Sequence, residues 1–208
     1  MLAQSLRDVE TVRRMAGEMH DLAVELGLSQ WAWRAPFLLA WSDLYAPAGG
    51  RPAFDLDDFD SSQRVIAQRG GSNMAYYYCL HAEILILRER PGDAWRALDE
   101  GLRLTQARGV SIWIEEVYRL QGELLLHAKS AEAEGRFQTA LELARCHGSR
   151  AMELRVALSL GRLWQSQGRT QAARDLVAQA RQGFTGGLAS GDLREAGEFL
   201  DSCSTEEK

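Results

Sequence analysis

Gly109-VSIWIEEVYRLQGELLLHAKSAEAEGRFQTALELARCH-Gly148 is the stretch that decides the fold, because the chain on either side repeats its pattern. Gly70, Gly109 and Gly148 each close a helical pattern, as Arg69-Gly70, Arg108-Gly109 and His147-Gly148. Their spacings are 109 − 70 = 39 and 148 − 109 = 39 residues. Gly27 stands 70 − 27 = 43 residues before Gly70, so the first copy is 43 − 39 = 4 residues longer. Four residues after each glycine comes a large apolar side chain: Trp31, Met74, Trp113 and Met152. A fixed period of about 20–50 residues marks a chain built from stacked structural units.

Working outward, the 208 residues suffice for one large domain or one array of such units. The net charge of −5 offers no basic field to nucleic acid or to an anionic membrane. Cys79, Cys146 and Cys203 are odd in number and far apart, which argues against a disulfide framework or a zinc site and suits a reducing cytoplasm. Charged residues enter the first ten positions, unlike a secretory signal. Apolar runs such as Ile84–Leu87 and Leu124–Leu126 are too short to span a bilayer.

From the N-terminus, Val9, Val12, Met15, Ala16, Met19, Leu22, Ala23 and Leu26 recur at threes and fours, one apolar stripe ended by Gly27. A second helix is expected over 30–45, with Pro36 as a kink or the true start. Two prolines and two glycines in 46–52 break the pattern. The aspartates of 55–60 lack the glycine and late glutamate of a calcium loop, and are read as an acidic helix start. Regular helix pairs follow at 72–88 with 93–107, 111–128 with 131–146, and 150–166 with 170–183. Asp93, Ser130 and Thr170 stand at expected N-cap positions. A loop and a capping helix from Asp192 to Ser202 close the array, leaving a frayed tail at 204–208.

Small residues define the packing. Ala94, Ala133 and Ala173 are each followed four residues later by Leu98, Phe137 and Val177, and then by Gly101, Ala140 and Ala180. The preceding helices carry Ala82, Gly122 and Gly161. A small residue on each of two antiparallel helices lets them approach closely while the large one fills the space beside. With Leu160-Gly161-x-x-Trp164, this frame resembles the tetratricopeptide repeat (TPR). The period of 39 exceeds the family's value of about 34, so longer helices are implied.

Over 109–203 the likeness is closer. Tyr118–Leu126, Phe137–Ala144, Glu153–Trp164, Ala173–Leu176 and Asp192–Ala196 resemble the C-terminal TPR region of bacterial class III adenylate cyclases and related signalling ATPases. That resemblance implies architecture rather than catalysis, since no Gly-x-x-x-x-Gly-Lys-Ser/Thr phosphate loop is present.

The expected fold is therefore all-α: a right-handed solenoid of about four antiparallel pairs plus a capping helix, one domain over 1–203. Within it 7–70 is degenerate and 71–185 regular. His20, His81, His127 and His147 share no ligand spacing, no serine sits in a nucleophile elbow, and no cofactor or metal is expected. In TPR-like stacks the first helix of each pair lines the groove. Carried onto this frame, the groove residues are Tyr76, Cys79 and Glu83; Glu116, Arg119, Glu123 and His127; and Arg155, Leu158 and Arg162. Such a stripe suits a partner peptide or helix, its arginines forking onto carboxylates. The alternative is a solvated face with internal pairs such as Glu116 with Arg119.

The function expected is a non-enzymatic interaction module of bacterial signalling or transcriptional control, cytoplasmic, with a protein or peptide partner. That partner could be an ATPase or cyclase module of the same system. The rival reading is a small-molecule sensor, suggested by Tyr76-Tyr-Tyr78 near Trp113. Neither reading involves nucleic acid or membrane, and homo-oligomerisation through the N-terminal edge stays open.

Overall fold

Several helix ends among the described residues share one short local signal. At the close of the first helix Gly27 takes a left-handed conformation (φ 64°), which lets the Leu28 N–H bond back to the Ala23 carbonyl at 2.8 Å. Gly148 and Gly168 do the same, with Ser149 bonded to Ala144 and Arg169 to Trp164. Glu89 and Lys129 adopt that conformation without being glycine, at φ 58° and 55°.

The computed structural model describes residues 7–32, 34–45, 74–108, 113–182, 184 and 190–205. Gly70, Gly109, Trp33, the breaker at 46–52, the acidic run 55–60 and most of the loop before the last helix lie outside the described residues. Among the described residues the protein is all-helical. The elements are α1 (Val9–Glu25), α2 (Ser29–Ala32), α3 (Ala35–Tyr45), α4 (Met74–Leu87), α5 (Pro91–Arg108), α6 (Ile114–His127), α7 (Ala133–Cys146), α8 (Arg150–Ser166), α9 (Thr170–Gln182) and α10 (Gly191–Thr205). No described helix is long and apolar enough to cross a membrane. The residues group into two compact units, 1–113 and 114–208.

In the first unit the stretch expected as one helix over 30–45 is two, and Pro36 stands in the first turn of α3, where its missing N–H costs nothing. Asp8 caps α1, accepting from the Thr11 amide at 3.1 Å. α1 packs against α3, and α4 against both α3 and α5. The core holds Phe37, Trp41, Tyr76, Leu80, Ile84 and Leu98. Asp93 is not an N-cap: α5 starts two residues earlier, and the carboxylate is held between Arg90 and Arg96.

In the second unit α6 pairs with α7, α8 with α7 and α9, and α10 covers α8 and α9. Its core is Phe137, Leu141, Leu154, Leu158, Leu160, Val177 and Phe199. Ser130 precedes α7 by three residues and its hydroxyl accepts from the Glu132 amide at 3.3 Å, as expected of it; Thr170 is the first residue of α9 and so is not its cap. Trp164 donates its indole N–H to Glu134 at 2.7 Å while Arg169 stacks on its ring at 4.3 Å and reaches the same carboxylate. These two bonds, Arg169's first, hold the Glu134 carboxyl below its ordinary pKa.

The expected small-residue frame is the packed one. Ala82, Ala94, Ala133 and Ala173 are buried, as are Leu98, Phe137 and Val177 beside them. A Cβ at Gly122 would stand 2.6 Å from the Phe137 ring, and one at Gly161 3.0 Å from Val177. Gly101 faces Tyr78 in the same way, at 3.0 Å.

Candidate functional site

Seven of the ten expected groove residues are buried: Tyr76, Cys79, Glu83, Glu116, Arg119, Arg155 and Leu158. Glu123 is half-buried, and His127 and Arg162 are exposed. Tyr76, Cys79 and Glu83 belong to the first unit and the other seven to the second.

In the first unit, Glu83 reaches back from α4 to α3. Its carboxylate accepts from the Trp41 indole N–H at 2.8 Å and from the Tyr45 hydroxyl at 2.5 Å, with the Arg7 guanidinium at 3.3 Å. Burial first, and the adjacent Glu83 charge second, push the Tyr45 phenol above its ordinary pKa. Tyr76 packs its ring against Tyr77 and Trp113, with centroids 5.1 and 4.8 Å away. All three tyrosines of 76–78 are buried, and Tyr78 also lines a cleft.

In the second unit the charged positions on α6 and α8 join a buried network. Arg119 forks onto Glu116 with two bonds of 2.8 Å and reaches Glu123 at 3.2 Å. Ser159 on α8 donates to Glu123 at 2.6 Å. Arg155 donates to Asp192 at the start of α10, at 2.8 and 3.1 Å, and lies 3.7 Å from Glu116. The row Glu123, Arg119, Glu116, Arg155, Asp192 thus alternates in sign across three helices. The i, i+3 pair of Glu116 with Arg119 is formed, but inside the protein rather than on a solvated face. Arg162 pairs with Glu195 on α10 at the surface.

Buried charges are stable only when their partners are supplied at good geometry, and here each guanidinium has carboxylates within reach. Asp192 and Ser159 were not among the expected site residues. Asp192 reads locally as a helix-start carboxylate, and nothing in the sequence marks its pairing with Arg155, 37 residues away.

Among the described residues, clefts occur in both units. One in the first unit, of about 180 Å³, is lined by Tyr78, His81, Arg90, Asp93, Arg96 and Glu100. Desolvation, and then the Arg90 charge, depress His81 to a pKa of about 3, so the imidazole is neutral. Another, about 380 Å³ in the second unit, has Leu141, Leu160 and Leu176 as its floor and Glu142, Arg145 and Asp175 among its rim. Among the described residues no group of three or more His, Cys, Asp or Glu is placed to hold a metal ion.

No family model matches the chain, and no curated protein matches it either.

Proposed function

We propose that this chain is a non-enzymatic TPR-like interaction module of bacterial signal transduction or transcriptional control, its helix pairs stacking as a right-handed solenoid. One observation carries the reading. Gly122 seats Phe137 between α6 and α7, and Gly161 seats Val177 between α8 and α9, 161 − 122 = 39 residues further on. A small first-helix residue under a large second-helix one is the core the tetratricopeptide frame implies, and it recurs at the sequence period.

On this reading the partner, a peptide or helix that could belong to an ATPase or cyclase module, meets the accessible edge of α6 and α8. His127 and Arg162 are exposed there, with Glu123 half-buried beside them. The buried ion row behind them holds the two helices and α10 in fixed register, so the edge is presented without further ordering cost. Arg119 and Arg155 act as supports, and Arg162 makes contact.

A peptide-display selection on the whole chain tests this. An enriched sequence family is expected that contains acidic residues. It should be lost on the double variant His127→Glu with Arg162→Glu, whose thermal midpoint stays that of the parent. Enrichment no greater than on an unrelated helical protein, or enrichment indifferent to the double variant, overturns the proposal.

A further inference from the structure

α1 turns its larger apolar side chains away from the protein. The buried residues of this helix are Val12, Ala16 and Ala23. Met15 is 54% exposed, Leu22 54%, and Leu26, the residue that ends the helix, 58%. Leu28 and Trp31 continue the exposed surface just beyond. Seven large apolar side chains are exposed among the described residues; Val24 lies on the opposite side of α1, whereas Met15, Leu22 and Leu26 share one face.

The spacing is regular. Positions 15, 19, 22 and 26 advance by four, three and four, the d-a-d-a order of a two-helix seam; Met15, Leu22 and Leu26 are exposed there and Met19 is half-buried between them. The flanks differ. On one side of the seam the positions next to it are Ala16 and Ala23, buried in the protein's own core. On the other they are Glu18 and Glu25, one heptad apart and exposed, with Asp21 further round the same side. Arg14 lies 3.2 Å from Glu18, and both are well exposed.

We infer that the Met15–Leu26 seam docks one basic amphipathic helix of a partner protein, with leucine-like residues at its seam positions and lysine or arginine along one flank. This rests on charge and geometry in the first unit and does not depend on the repeat reading. A second copy of the chain fits worse. An antiparallel α1 pair would set Glu18 and Glu25 against the same residues of the other copy, like charge on like charge. A parallel pair would need the flank that Ala16 and Ala23 occupy, which the fold already covers. An anionic membrane surface meets the same acidic flank.

The probe is a synthetic 21-residue helix, three heptads with leucine at a and d and lysine at e and g, end-labelled for fluorescence anisotropy. A control peptide carries glutamate in place of each lysine. The whole chain should bind the lysine peptide, more weakly as salt rises, and bind the glutamate peptide at least about tenfold less. Leu22→Gln should weaken the lysine peptide by about tenfold while circular dichroism and thermal midpoint stay unchanged, because this side chain is half in water already. Glu18→Lys with Glu25→Lys should invert the preference. Three outcomes overturn the inference: no binding of the lysine peptide, equal binding of both peptides, or binding indifferent to Leu22→Gln. Light scattering that finds a dimer abolished by Leu22→Gln would assign the seam to a second copy and overturn it as well.

Discussion

The ring of Phe137 lies so close to Gly122 that a Cβ at position 122 would stand 2.6 Å from its Cε1 and 2.7 Å from its Cδ1. Phe137 is fully buried, so its ring can make way only by shifting other core side chains. Alanine in a helix interior ordinarily gains up to about 1 kcal/mol over glycine, whereas overpacking a core costs about 1–3 kcal/mol. Gly122→Ala should therefore destabilise by about 1–2 kcal/mol in urea unfolding. Gly135→Ala, where no atom lies within 4 Å, should be neutral or stabilising.

Charge on α6 carries a second expectation. Arg119 is buried and holds Glu116 through two bonds, so removing the guanidinium takes both from a buried carboxylate. Arg119→Met should cost about 3–5 kcal/mol. Reversing the charge there, or at Arg155, is expected to unfold the second unit rather than to report on a partner. Arg162→Glu, at the surface, should leave the unfolding free energy within about 0.5 kcal/mol of the parent.

Buried His81 ties stability to pH. Its folded pKa of about 3 lies below the unfolded value of about 6.5, so below that value the unfolded chain binds a proton that the folded one refuses. Stability is then fully present above about pH 6.5 and falls toward pH 3, with a slope approaching about 1.4 kcal/mol per pH unit. The unfolding free energy of the parent, minus that of His81→Gln, should fall between pH 6 and pH 4. A difference flat in pH would mean that His81 takes up its proton in the folded state.

Lys129 ends α6 in a left-handed conformation that glycine adopts at the corresponding turn after α8, where Gly168 stands 168 − 129 = 39 residues later. A side chain costs about 1 kcal/mol in that region of backbone space. Lys129→Gly should stabilise by about 0.5–1 kcal/mol, read as a rise in thermal midpoint, despite the entropy glycine adds to the unfolded chain.

Helix positions and the packing frame were legible because both are local or periodic. Gly148 announces a left-handed end within five residues, and Ala133 to Phe137 is one turn. Burial of charge was not legible. Arg119 and Arg155 look like surface residues on any helical wheel, and their depth depends on Ser159 and Asp192, which arrive from other helices. The α1 stripe is one apolar face in the sequence, yet only half of it is covered. Which half is covered depends on where α3 crosses, and the small residues Ala16 and Ala23, not Met15 and Leu22, are the ones that admit it.

The ion row of the second unit also constrains ancestry. Three carboxylates and two guanidiniums interlock from Glu123 to Asp192, so replacing either buried arginine by a neutral residue takes the cation away from carboxylates that are themselves buried. Lineages descended from this chain can keep the row whole, or exchange it for apolar residues in concert. Losing one of the two arginines alone is the costly route.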